Sequence, residues 1–210
     1  MIKGKKFFLV YFVVFVFTGY THCFAQNLDV DILKSINPRH PTSLYWRNTS
    51  NSAYYAIGAA SFGTLIYGLA SNDEIAKRNA TETFISVGAN VLVTHLIKLS
   101  VNRTRPADKY PNEIFVNSMT HNQSFPSGHT SLAFATATTL SIQYKKWYVT
   151  VPAYVWASSV GYSRMYLGKH YPSDVLAGAA VGIGTAWAGH WFNKNLFQQR
   201  YKNKNTLIHD

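Results

Sequence analysis

Five long stretches almost free of charge, joined by polar connections, set the terms for any fold of this chain. They are residues 53–70, 83–97, 130–144, 147–161 and 175–192. Each outruns the roughly five or six residues of an ordinary strand, and none alternates strictly between apolar and polar. Helices satisfy both facts, so the expected fold is an all-α bundle with five core helices. In the last stretch Gly178 and Gly182 stand four apart, a spacing that lets two helix backbones approach closely. The second stretch holds Asn90, Thr94 and His95, which excludes a helix facing lipid all round. His95 reads either as a pocket-mouth residue or as a buried hydrogen-bonding group one turn before Lys98. A length of 210 residues suits one domain.

Whether the bundle sits in a bilayer turns on two opposing observations. Mean hydropathy is only −0.07, and several stretches are shorter or more polar than the roughly 20 apolar residues of a span. A soluble bundle is therefore the alternative. The distribution of charge favours insertion. With the N-terminus inside, successive crossings put Lys77-Arg78, Lys145-Lys146 and the tail with Lys194, Arg200, Lys202 and Lys204 on the cytoplasmic side. The same count brings residues 100–129 and 162–174 together on the outer face. Trp147, Trp187 and Trp191 lie near segment ends, where interfacial rings are expected.

The N-terminus reads as a targeting segment. Lys3, Lys5 and Lys6 precede an uncharged stretch, and Cys23-Phe24-Ala25 presents small residues at the positions a signal peptidase inspects. A retained anchor helix is the competing reading. The expected organisation is a signal peptide or anchor over 1–25, a lead-in segment over 26–52, a catalytic domain over 53–192 and a basic tail over 193–210. Cleavage after Ala25 removes the chain's one Cys, excluding disulfides and thiol catalysis, and the loss of three lysines takes the net charge from +11 to +8. An exported basic protein of this kind suits anionic phospholipid or another phosphorylated partner. The charge is scattered, with neither zinc-finger spacing nor a dinucleotide fingerprint, so nucleic acid is not the expected partner.

Three separated pieces carry chemistry. The first runs from Lys98 to Arg105-Pro106, the second is Pro126-Ser127-Gly128-His129, and the third is Ser163-Arg164 followed by His170 and Asp174. Lys98, Arg105 and Arg164 are three cations, two of them guanidinium forks suited to bidentate phosphate contacts. Gathered around one point they repel each other, so an anion is the natural occupant. Ser127-Gly128-His129 opens a helix directly after a proline. Free N–H groups at that N-terminus can point at phosphate oxygens, and Gly128 lets the backbone come close. His95, Asn102, Arg103, Asp108, Lys109 and His121 carry no such pattern and are left as surface, packing or pocket-mouth residues, and His190 as packing near the last helix end.

In these residues the chain resembles the type 2 phosphatidic acid phosphatase superfamily, which includes bacterial acid phosphatases, membrane lipid phosphatases and vanadium haloperoxidases. The resemblance fills every motif position from Lys98 to Asp174, and in helical layout it covers roughly residues 50–192. It implies a helical bundle and a phosphatase needing neither metal nor cofactor. It further implies that His170 Nε2 attacks phosphorus, Asp174 holds the other imidazole nitrogen, and His129 protonates the leaving oxygen and then activates water. Lys98, Arg105, Ser127, Gly128 and Arg164 bind the phosphate oxygens. Family substrates are undecaprenyl diphosphate, phosphatidic acid, phosphatidylglycerol phosphate and lipid A phosphates. The expectation is thus a lipid phosphate phosphatase of a bacterial inner membrane, its site facing the periplasm. A soluble periplasmic acid phosphatase, released after signal cleavage, is the enzymatic alternative. A non-catalytic phosphate-lipid binding protein is the other, while haloperoxidases are typically much longer.

Overall fold

The structure is a computed structural model that describes residues 24–119 and 121–206, with side chains described for 28–119 and 121–195. The expected signal or anchor segment lies outside the described residues except for the backbone of its last two, as do the side chains of Arg200, Lys202 and Lys204. Seven helices make up the described chain, and no strand occurs among the described residues. They are α1 (Phe24–Ile36), α2 (Leu44–Ala70, with a π turn over Ala59–Gly63), α3 (Glu74–Val101), the one-turn α4 (Pro106–Lys109), α5 (Gly128–Tyr144), α6 (Trp147–Tyr166) and α7 (Pro172–Thr206). Each of the five uncharged stretches falls within one of the long helices α2, α3, α5, α6 and α7.

Local chemistry fixes the helix ends. Asp73 caps α3 by accepting the N–H groups of Ile75 at 2.8 Å and Ala76 at 3.2 Å. The helix stops at Asn102, which adopts a left-handed conformation (φ +46°) and donates its N–H to Lys98 O. Lys145 ends α5 in the same way. Both residues turn the chain sharply, and Arg103 and Arg105 emerge directly after the first of them.

The middle of the bundle is α5, which packs against α2, α3, α6 and α7. Its buried residues are small, mostly alanine and threonine. Ala133 and Ala137 join Ala53, Ala153, Ala157 and Val160 in a core of closely approaching backbones rather than large side chains. A Cβ on Gly178 would collide with Ser127 O, and one on Gly182 with Ser131 O, so α7 lies directly on α5. Polar groups left between these helices satisfy one another. Ser131 Oγ donates to Asn90 Oδ1 at 2.8 Å and lies 2.9 Å from Thr94 Oγ1, while Asn90 Nδ2 donates to Thr185 Oγ1 at 3.2 Å. Asn90 and Thr94 therefore face the interior of the bundle. His95 does not: it is exposed, which corrects the buried alternative, because one residue beyond Thr94 turns by about 100° around the helix.

Two stretches, Leu44–Ala70 (α2) and Glu74–Lys109 (α3 with α4), are long and apolar enough to cross a membrane, and only 22% and 17% of their most apolar windows are buried. Their exposed faces carry Ile66, Leu69, Val91, Leu92 and Leu96. Trp147, Trp187 and Trp191 are also exposed. One end of the bundle gathers the ends of α3 and α6 and the starts of α5 and α7. The opposite end holds the 70–74 and 145–146 turns, with Asn193 Nδ2 reaching Arg78 O at 3.4 Å.

Candidate active site

The third sequence motif folds as a tight turn between α6 and α7. Leu167 N–H returns to Ser163 O and Lys169 N–H to Arg164 O, both at 3.0 Å. Gly168 sits at φ +66°, and a Cβ there would strike Phe115 O, so both conformation and space demand glycine. Pro172 occupies the first helical position of α7, where its missing N–H costs nothing. The second motif is clamped to the third through backbone: Ser127 N–H donates to Asp174 O at 3.0 Å.

His170 is the centre of the arrangement and is buried. Its Nε2 lies 3.3 Å from Arg105 Nη1. A guanidinium can only donate, so Nε2 is the acceptor and the neutral ring carries its proton on Nδ1. Nδ1 in turn lies 3.5 Å from Asp174 Oδ2 but lacks hydrogen-bond geometry to it. The contact is electrostatic, and Asp174 has other hydrogen-bond partners. Its Oδ2 accepts Tyr171 N–H at 2.9 Å and its Oδ1 accepts Arg103 Nη1 at 2.7 Å.

The three predicted cations surround this imidazole from different elements. Arg105 is held by Asn122, whose Oδ1 accepts Nε at 2.9 Å and Nη2 at 2.5 Å, and by Lys169 O, which accepts Nη1 at 2.7 Å. Lys98 Nζ donates to Gln123 O at 2.7 Å. Arg164 is buried and donates from Nη1 to Ser50 Oγ at 2.6 Å, while its Nε has no partner in the protein. His129 opens α5, stacks edge-on against Tyr54 at 4.7 Å, and lies within electrostatic range of Arg164, His170, Arg105 and Lys98. All three motifs therefore meet at one end of the bundle.

Ser127 and Gly128 stand at the start of α5. The Ser127 hydroxyl is buried and lies 2.9 Å from Thr130 Oγ1. A Cβ on Gly128 would meet nothing nearer than Thr94 Cγ2 at 4.0 Å, so packing alone does not require glycine there.

Burial and the Arg164, Arg105 and Lys98 cations push the His170 pKa well below its ordinary value. Burial lowers Lys169 to about 8, helped by Arg164 and Arg105. Lys169 donates to Ser118 O and to Ser118 Oγ, tying the 110–123 connection over the turn that carries His170.

Sequence reasoning set Arg103 aside, and the structure gives it a specific place. It bonds Asp174, Ser173 Oγ at 2.7 Å and Asp29 Oδ2 at 2.8 Å, and its guanidinium lies 3.9 Å above the Tyr171 ring. No local signal marked it, since Asp29 and Asp174 lie 74 and 71 residues away in the chain. Asn122 and Ser50, which orient two arginines, carried no signal, since their partners are distant in the chain. His121 pairs with Asp108 at 3.3 Å on the surface, and His190 Nδ1 lies 2.9 Å from the buried Glu82 Oε2.

Comparison with known proteins bears on the family and the fold. Over 78 residues, 36% of this chain and 17% of the relative, the sequence is 45% identical to the lipid A 1-phosphatase of Porphyromonas gingivalis. Only a small part of that protein's length is thus spanned. Over 135 residues, 60% of this chain and 72% of the relative, it is 37% identical to the decaprenylphosphoryl-5-phosphoribose phosphatase of Mycobacterium tuberculosis. The crystal structure of LpxE from Aquifex aeolicus superposes with a TM-score of 0.63 at 29% identity, covering 77% of this chain and 94% of that one. A family model described as the PAP2 superfamily matches residues 79–198, a stretch that contains all three motifs. The chain belongs to the PAP2 superfamily, the type 2 phosphatidic acid phosphatase fold.

Proposed function

We propose that this protein is a membrane phosphatase that removes phosphate from a phosphorylated lipid through a phosphohistidine, without a metal. The observation that carries this reading is the buried Arg164 Nε, a donor with no acceptor in the protein, standing among Arg105, Lys98 and two histidines. Orphaned donors and mutually repelling cations around a buried imidazole are what a phosphoryl group satisfies.

In the first step the His170 Nε2 lone pair forms a bond to phosphorus. The bond to the leaving oxygen breaks as His129, protonated when the phosphate anion binds among the cations, delivers that proton to the oxygen. In the second step His129 takes a proton from water, the water oxygen bonds to phosphorus, and the N–P electron pair returns to Nε2. Arg105, Arg164, Lys98, Ser127 and the Gly128 N–H hold the nonbridging oxygens, and Asp174 stabilises the imidazole as it becomes charged.

Two features support a lipid substrate at a membrane. The relatives named above act on lipid A and decaprenylphosphoryl-5-phosphoribose by their names, and α2 and α3 are long and apolar enough to span. An apolar groove of about 690 Å³, lined by Trp46, Val151, Tyr154, Val155 and Tyr162, runs along α6. In this reading the site faces the periplasm from the inner membrane.

The test is phosphate release from a panel of lipid A, polyprenyl and glycerolipid phosphates in EDTA, comparing wild type with His170→Ala. EDTA-resistant release that vanishes in the variant is expected. Release that needs metal and survives in the variant would overturn the mechanism. Equal turnover of soluble phosphomonoesters by detergent-free protein would move the assignment to a soluble acid phosphatase.

A further inference from the structure

Helix α1 lies outside the residues matched to the family, yet it reaches the middle of the site. Its apolar face docks through Val30 and Leu33 onto Ala107, Ile114 and Tyr171. The connection after it is pinned by Asn37, which donates to Phe115 O at 2.9 Å and Tyr166 O at 2.8 Å and accepts Phe115 N–H at 2.8 Å. That docking places Asp29, which is buried, against the first turn of α7.

Asp29 makes two kinds of contact there. Its Oδ1 accepts Ser173 N–H at 2.9 Å, one of the free N–H groups at the α7 N-terminus, so the carboxylate caps that helix from a distant part of the chain. Its Oδ2 accepts Arg103 Nη2 at 2.8 Å and the Ser173 hydroxyl. Arg103 Nη1 then holds Asp174 Oδ1 at 2.7 Å. The order Asp29–Arg103–Asp174–His170 is therefore continuous, its last link being the 3.5 Å approach of Asp174 to Nδ1.

Charge explains why both carboxylates are present. Arg103 with Asp174 alone is a neutral pair, and the field that Asp174 presents to the imidazole is largely offset. Adding Asp29 on the other side of the guanidinium leaves the trio at net −1. Asp174 is then held rigidly by a cation without its charge being cancelled at His170.

We propose that Asp29 is a positioning residue of the active site, acting through Arg103 to fix the Asp174 carboxylate and keep its charge directed at His170. Helix α1 is consequently part of the site. This rests on the phosphatase reading above.

The experiment uses full-length protein in detergent, turning over the preferred lipid phosphate, with active sites counted by single-turnover phosphate release. Asp29→Asn is expected to lower kcat per active site roughly 10- to 100-fold, as when a group that orients a reacting residue at one remove is lost. KM should stay within about twofold, because no phosphate contact changes. The groups facing His170 are Lys98 from α3, Arg105 at the start of α4, His129 from α5, Arg164 from α6, Lys169, and Asp174 with Arg103 behind it. Removing one anion from that set lowers the imidazole's proton affinity, so the acid limb of kcat/KM moves to lower pH. Asp29→Glu should restore most of kcat.

If α1 is only a structural strap, Asp29→Asn lowers the melting temperature while kcat per site and the acid limb stay at wild-type values, and the proposal falls. Leu33→Ala calibrates that outcome, since it loosens α1 without touching a charge and should lower stability alone. Should Asp29→Asn fail to accumulate, Arg103→Lys carries the test: a lowered kcat at unchanged KM supports the proposal and wild-type kinetics overturn it. Failure of the phosphatase reading shows separately, as wild-type release indifferent to His170→Ala.

Discussion

Arg105 Nη1 lies 3.3 Å from His170 Nε2, a contact in which only the imidazole nitrogen can accept. Because the guanidinium cannot accept, Nε2 keeps its lone pair toward the three cations and Nδ1–H turns toward Asp174. The orientation of the proposed nucleophile is thereby set before any ligand arrives.

The tautomer is directly measurable. In protein labelled at histidine nitrogen, the His170 shifts should report Nδ1–H and an unprotonated Nε2. Arg105→Lys removes the fork that also holds Asn122 Oδ1 and Lys169 O. We expect kcat/KM to fall by about 10²–10³. An Nε2–H signal in the wild type would contradict the proposed attack geometry.

Arg164→Lys tests the anion cradle. A single ammonium can keep the Ser50 contact or replace Nε, but not both. Inhibition by vanadate, which resembles the transferring phosphoryl group, should weaken by about 10²-fold or more, in line with the loss of a preorganised donor. Unchanged vanadate affinity would place the phosphate elsewhere.

His170 ties stability to pH. Its folded-state pKa is depressed by burial and by the Arg164, Arg105 and Lys98 charges. Below the ordinary value near 6.5 the unfolded chain binds a proton that the folded one refuses, so stability falls as pH drops. The melting temperature should decline less between pH 7 and pH 5 in His170→Gln than in wild type. Equal slopes would mean that the imidazole is not held neutral. The acid limb of wild-type kcat/KM should likewise lie below pH 6.5.

Lys169 gives the opposite sign. With its pKa lowered to about 8, the ammonium is charged below that value and lost above it. The Ser118 contacts and the positive field near Arg105 weaken together as pH rises through 8. The inhibition constant for inorganic phosphate should therefore rise more steeply between pH 7 and 9 in wild type than in Lys169→Arg, which stays charged.

Close packing in the bundle can be tested away from the site. In Gly182→Ala the new methyl meets Ser131 O and Ala135 N. Overpacking of this kind costs about 1–3 kcal/mol. A lower melting temperature in detergent is expected, with kcat per active site little changed. Unaltered melting would show that α5 and α7 are farther apart than described.

The sequence by itself determined the helices and the identity of the residues that meet at the site. Uncharged runs too long for strands left one regular structure open. Gly178 and Gly182 announced the close α5–α7 contact, and three motifs announced a phosphate chemistry, because such signals are local in the chain. Tertiary structure decided what lies between distant positions. Asp29 to Arg103, Asn122 to Arg105 and Ser50 to Arg164 are contacts between segments 17 to 114 residues apart. Nothing in the local pattern of either partner specifies them. A buried charge or fork selects its partner only after packing has excluded water and made an unpaired polar group costly. That is why Arg103 reads as an ordinary flank in the sequence and as the support of Asp174 in the fold.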